Sequence, residues 1–143
     1  MTEVQKTYVS TSPDDTLSIG RSIAGLLKPG DAVCLFGELG AGKTHLAKGI
    51  ASGFGVDQDE VQSPTFSIIN EYQGSTPVYH FDFYRIKSAA EAVRLGLDEY
   101  FYGQGVCLIE WPSKIREYLP EHFVQIHLKH KNATTREILV TFE

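Results

Sequence analysis

The chain has 143 residues, 42% of them hydrophobic, 22% charged and 11% aromatic, which suits one globular domain with a real core and excludes a disordered or fibrous chain. A formal net charge of −5 argues against a surface that holds nucleic acid directly, because such binding rests on Lys and Arg neutralising phosphates; any RNA in the function is expected to be carried by a partner. No apolar stretch approaches the roughly 18 to 20 residues of a membrane span, and "MTEVQKTYVS" lacks the regions of a signal peptide, so the cytoplasm is the expected location.

In chain order, "KTYVSTS" predicts a short strand that runs into a helix over "SPDDTLSIGRSIAGLLKPGD". Ser12 is placed to cap that helix, Pro13 fits its first turn, and Asp14 and Asp15 suit its positive end. Leu17, Ile23, Leu26 and Leu27 are expected on its apolar side, with Lys28 and the following Pro-Gly ending it. The unbroken run "AVCLF" predicts a strand buried on both faces. Beyond the octad "GELGAGKT", "HLAKGIASGF" has helical spacing through Leu46, Ala47, Ile50 and Phe54, which Gly49 weakens.

Two β-rich runs, "PTFSIINEYQG" and "VYHFDFYRI", flank "GSTP" as a hairpin would, and "SAAEAVRLGLDEYF" predicts one helix. "GVCLIEW" is a second buried strand; "FVQIHLKH" and "REILVTF" alternate apolar and polar residues around "KNATT", as an antiparallel pair with one wet face does. Cys34 and Cys107 each sit inside an apolar run and are expected to be core residues rather than a disulfide or metal pair. Together the elements predict a single three-layer α/β domain over residues 1–143, with a mixed, largely parallel sheet and C-terminal antiparallel strands. Ligands in such folds sit at the carboxyl ends of the strands.

The octad matches G-x-x-x-x-G-K-[ST], and each part has a physical use. Gly37, Gly40 and Gly42 let backbone N–H groups curl into an anion nest. The helix that begins near Lys43 adds its positive end. Lys43 can reach the β- and γ-phosphates, and the Thr44 hydroxyl can ligate the Mg²⁺ that bridges them, so the pattern indicates a nucleoside triphosphate site in a P-loop NTPase-like domain. His45 reads as an exposed first-turn residue, since no metal-ligand partner stands beside it at the usual spacing.

Hydrolysis also needs a carboxylate at the end of a neighbouring strand. Glu110 follows four apolar residues in "VCLIEW", as in a Walker B strand. Asp82 lies among aromatics, and alternation puts His80, Asp82 and Tyr84 on one face with Phe81, Phe83 and Arg85 on the other. Structural readings stand beside the functional ones: Asp82 pairing with Arg85 or Lys87, and Glu110 marking where a strand meets water. Ser63, Thr65 and Ser67 form a row of alternate hydroxyls that suits a polar strand face or a switch segment.

The motifs "GELGAGKT", "SPTFSIINEY", "HFDFYR" and "LIEWP", in this order and spacing over nearly the whole chain, closely resemble the TsaE (YjeE) family of small bacterial ATPases required for threonylcarbamoyladenosine (t6A) in tRNA. The resemblance implies slow hydrolysis of ATP with Mg²⁺, and action on a complex of the TsaB and TsaD proteins, through which tRNA is reached indirectly. It implies a nucleotide cradle of Gly37, Glu38, Leu39, Gly40, Ala41, Gly42, Lys43, Thr44 and His45, with Trp111 beside it. Lys43, Asp82 and Glu110 would be the catalytic residues, Thr44, Glu110 and Asp82 the metal set, with Glu110 the better Mg²⁺ candidate. "SPTFSIINEY" would be a switch-like segment near the γ-phosphate, and Ser12 and Arg136 neighbours of the adenine pocket. Two positions depart from the usual G-D-L-G-A-G-K-T-T: Glu38 keeps the acid, whereas His45 replaces a hydroxyl and leaves only its backbone N–H in common.

Two other functions fit the octad. A small-molecule kinase needs an arginine-bearing lid, and the arginines at 21, 85, 94, 116 and 136 are scattered. A nucleotide-binding module without catalysis would leave Asp82 and Glu110 as structural acids.

Overall fold

The computed structural model describes residues 4–38, 40–61 and 68–142. Leu39 and the hydroxyl row Ser63, Thr65 and Ser67 lie outside the described residues. Among the described residues, the strands are β1 (Val4–Ser10), β2 (Ala32–Phe36), β3 (Ile69–Tyr72), β4 (Val78–Asp82), β5 (Val106–Glu110), β6 (Val124–His130) and β7 (Arg136–Phe142). They form one mixed sheet in the order β1-β7-β6-β2-β5-β4-β3. The central strands β6, β2, β5 and β4 run parallel. Antiparallel pairs flank them: β3 on β4, and β7 between β6 and β1.

The unbroken apolar runs lie where both faces are covered: Ala32 to Leu35 and all of Val106 to Glu110 are buried. Helices α1 (Pro13–Ala24) and α2 (Lys43–Gly53) contribute Ile23, Leu46 and Ile50 to a cluster with Val33, Leu35, Leu108 and Ile126. Alternate residues of the same strands point the other way: Cys34, Phe81 and Ile109 pack with Ala92, Leu97, Phe101 and Ile115. Both cysteines are free and buried, as expected, and burial pushes each thiol up to about 12. No helix among the described residues is long and apolar enough to cross a membrane.

Two expected helices are corrected. The segment "SAAEAVRLGLDEYF" is not one helix but two short ones, α3 (Ala89–Val93) and α4 (Leu97–Phe101). Gly96 between them has φ 73, a left-handed conformation that ends one helix and re-aims the next. Ala92, Leu97 and Phe101 thereby all reach the core. In α1 the helix stops at Ala24, ahead of the expected Lys28-Pro-Gly boundary, and Leu26 is exposed. Its buried face is Thr16, Gly20, Ile23 and Ala24, with Leu17 only half-buried.

The reason is the close approach of α1 to α2. A Cβ on Gly20 would lie 2.7 Å from the Gly49 Cα, and one on Gly49 would lie 2.4 Å from the Leu17 carbonyl oxygen. Gly49 is therefore a packing requirement of the helix pair as well as a local weakness. Alanine there gains about 1 kcal/mol of helix propensity against an overpacking cost of about 1–3 kcal/mol that backbone atoms cannot relieve by rotation. Gly49→Ala is expected to lower the urea midpoint; an unchanged or higher midpoint would show that the helices can separate freely.

Candidate functional site

The glycine-rich loop leaves the carboxyl end of β2 and enters α2 at Lys43. Gly40 and Gly42 have φ 83 and 99, where other residues are strained, and Gly42 is the N-cap of α2. Gly37 serves differently: a Cβ there would lie 3.0 Å from the Leu128 carbonyl oxygen. Among the described residues no side chain caps α2. Its first N–H groups and its positive dipole end therefore remain for an anion.

Lys43 is buried. Its Nζ donates to the Gly37 carbonyl at 2.7 Å and stands 3.6 Å from the centroid of the Trp111 ring. Tyr84 packs on that indole with centroids 4.9 Å apart. Trp111 follows β5 directly and has φ 59; among the described residues no other non-glycine has a positive φ. The ring is thus held over the loop by a backbone conformation that L-residues seldom adopt. Burial lowers the Lys43 pKa, and the charges of Glu110 and Asp82 oppose that shift.

The two carboxylates meet because β4 and β5 are parallel neighbours with Asp82 in register with Glu110. Burial raises the Asp82 pKa. The Tyr84 N–H, which donates to Asp82 Oδ1 at 2.9 Å, pulls it down, Glu110 pushes it up, and His80 and Lys43 pull it down further. Glu110 is buried, and its Oε2 lies 2.6 Å from Nε2 of the equally buried His80.

Lys43, Asp82, Tyr84, Glu110 and Trp111 share a cavity of about 600 Å³. Gly40, Gly42, Lys43, Thr44 and His45 line it from the loop and α2, and Asp82, Glu110 and Trp111 from the strand ends. Ser12 and Arg136 line it from β1–α1 and β7. Ser12 also caps α1, accepting from the Asp15 N–H at 3.0 Å, so its structural role is present too. Arg136 lies over the loop, with Cδ and Nε 3.4 Å from where a Gly42 Cβ would be. His45 is exposed at the rim, as expected. Gly37, Glu38 and Ala41 are not among the lining residues and instead border a smaller hollow beside Leu128, Lys129 and His130.

The sequence reading left out Thr11, Tyr84 and Thr134 as wall residues and His80 as the partner of Glu110. Tyr84 and His80 had a legible signal in their shared strand face with Asp82. Thr134, in the β6–β7 turn, had none. The Thr44 hydroxyl and the carboxylates of Asp82 and Glu110 are hard oxygen donors on one cavity, which suits Mg²⁺. Among the described residues no cluster of three or more His, Cys, Asp or Glu makes a self-contained metal site.

Fold and site together define a class: an α/β protein with a mixed seven-stranded sheet, in which a G-x-x-x-x-G-K-T loop and two acids meet at the carboxyl ends of parallel strands. Within that class the particular family is clear from comparison with known proteins. The model of the family described as "Threonylcarbamoyl adenosine biosynthesis protein TsaE" matches residues 10–138, and the chain belongs to this family. It is 47% identical over 138 residues to the tRNA threonylcarbamoyladenosine biosynthesis protein TsaE of Bacillus subtilis (strain 168), covering 96% of this chain and 85% of that one. The protein of the same name from Treponema pallidum (strain Nichols) is 42% identical, with coverage of 92% and 97%. The crystal structure of Bacillus subtilis YdiB superposes with a TM-score of 0.81 at 42% identity, over 99% of this chain and 88% of that one.

Proposed function

We propose that this protein is a three-layer, single-domain P-loop ATPase that binds ATP with Mg²⁺, hydrolyses it slowly, and supports t6A modification of tRNA by acting on a TsaB/TsaD complex in the cytoplasm. The observation that carries this reading is the convergence of Lys43, Thr44, Asp82 and Glu110 on one cavity in front of an uncapped helix. Family membership supports the role in threonylcarbamoyladenosine biosynthesis. The net charge of −5 supports contact with tRNA through partners rather than directly.

In this mechanism Lys43 leaves the Gly37 carbonyl to neutralise the phosphates, while the N–H groups of the loop and helix receive their oxygens. Thr44, Asp82 and Glu110 would hold Mg²⁺, which supplies charge neutralisation on the transferring phosphoryl group when bound. Glu110 orients the attacking water. Trp111 and Tyr84 wall the cavity and exclude bulk water from the Lys43 side. Ser12, Thr134 and Arg136 surround the nucleoside end.

An ATPase assay with and without TsaB and TsaD, run beside a screen of small-molecule phosphoryl acceptors, tests the reading. Water is the expected acceptor, and the partners are expected to raise turnover. Transfer to a small acceptor would make the protein a kinase instead.

A further inference from the structure

We infer that His80 is a positioning residue for Glu110: it pins one oxygen of that carboxylate and leaves the other to face the nucleotide cavity. The inference deepens the proposed function and rests on its assignment of Glu110.

In the β4–β5 register His80 pairs with Leu108, and Asp82 pairs with Glu110. His80 therefore reaches Glu110 diagonally, on the same sheet face, from two residues before Asp82. The His80 ring is wholly buried, the Glu110 side chain is 5% exposed, and Nε2 and Oε2 are 2.6 Å apart. Toward a carboxylate in its accepting form, Nε2 of the imidazole is the donor. No other hydrogen bond reaches the Glu110 carboxylate among the described residues. Glu110 nevertheless lines the cavity with Thr44 and Asp82. With Oε2 engaged, Oε1 is the oxygen left for a ligand.

A stability role explains the pair poorly. The His80 Nδ1 is buried and finds no partner among the described residues, so the imidazole brings an unmet polar atom into the core. Along the same strand Val78 and Phe81 fill buried positions with hydrocarbon alone. An apolar pair of similar volume would avoid desolvating both groups. What histidine adds is a rigid donor that removes the rotational freedom of a long carboxylate, the supporting contact that a metal- or water-holding acid requires.

The test is calorimetric titration with ATP in Mg²⁺ and in excess EDTA, together with the Mg²⁺ dependence of hydrolysis. His80→Leu is expected to cut the Mg²⁺ enhancement of ATP affinity by about tenfold, and to raise the Mg²⁺ concentration needed for half-maximal turnover similarly. Affinity in EDTA should stay at the parent value. His80→Gln, which retains an amide donor, should recover most of the effect. In a Glu110→Ala background, His80→Leu should add nothing. Should His80→Leu fail to fold by circular dichroism, His80→Asn, too short to reach Glu110, takes its place with the same expectation.

A parent-like Mg²⁺ enhancement in His80→Leu overturns the inference, and so does a further loss in the Glu110→Ala background, which would mark a general packing role. A Glu110→Ala protein with parent-like enhancement and turnover would instead remove the assignment of Glu110 on which the inference stands.

Discussion

Replacement of Lys43 by alanine is expected to weaken binding of Mg-ATP by about a hundredfold or more, read by calorimetry, as truncation of a buried charged partner usually does. The ammonium is held at 2.7 Å on the Gly37 carbonyl and 3.6 Å from the Trp111 ring centroid, inside the loop that would surround the phosphates. Burial works against its charge, and Glu110 and Asp82 work for it. An incoming polyphosphate offers it a stronger partner than a neutral carbonyl. Lys43→Met separates charge from packing: its stem can still cover Trp111, so an equal loss in both variants assigns the effect to the ammonium. If calorimetry gives the parent dissociation constant for both, the loop does not bind the nucleotide through this residue.

The second large effect is on turnover. Glu110→Gln is expected to keep ATP binding in EDTA, to lose most of the Mg²⁺ enhancement of that binding, and to lose hydrolysis by about 10²- to 10⁴-fold, the range for removal of an acid that acts on the attacking water. Glutamine keeps an oxygen that can accept from His80 Nε2, so the fold should be intact. Glu110→Ala should be equally slow and also less stable, because the buried imidazole then has no partner among the described residues for either nitrogen. The cost of such an unmet group is about 1–3 kcal/mol. Parent-like ATPase rates in Glu110→Gln would return this acid to a structural role.

His45, in the first turn of α2, lies exposed at the rim of the cavity. Arg136 reaches the loop only because β7 returns antiparallel along β6, whose other neighbour is β2. Ser12 and Arg136, far apart in the chain, both line the cavity because the β1–β7 ladder pairs Ser10 with Arg136.

By itself the sequence determined the loop, the two buried strands, the terminal hairpin and the acids, because each is written in a local pattern. Glycine spacing before a lysine, an unbroken apolar run, and alternation along a strand all act within a few residues. Tertiary structure decided who meets whom. Alternation put His80 and Asp82 on one face, but only the parallel pairing of β4 with β5 set them against Glu110. Helical spacing marked Gly49 as a weak point, and only the approach of α1 made it necessary. One helix was expected where Gly96 makes two, since periodicity continues across a residue whose backbone turns the chain. Short-range pattern fixes which way a side chain faces; its neighbour on that face is fixed by strand order and helix packing, which depend on contacts between segments far apart in the chain.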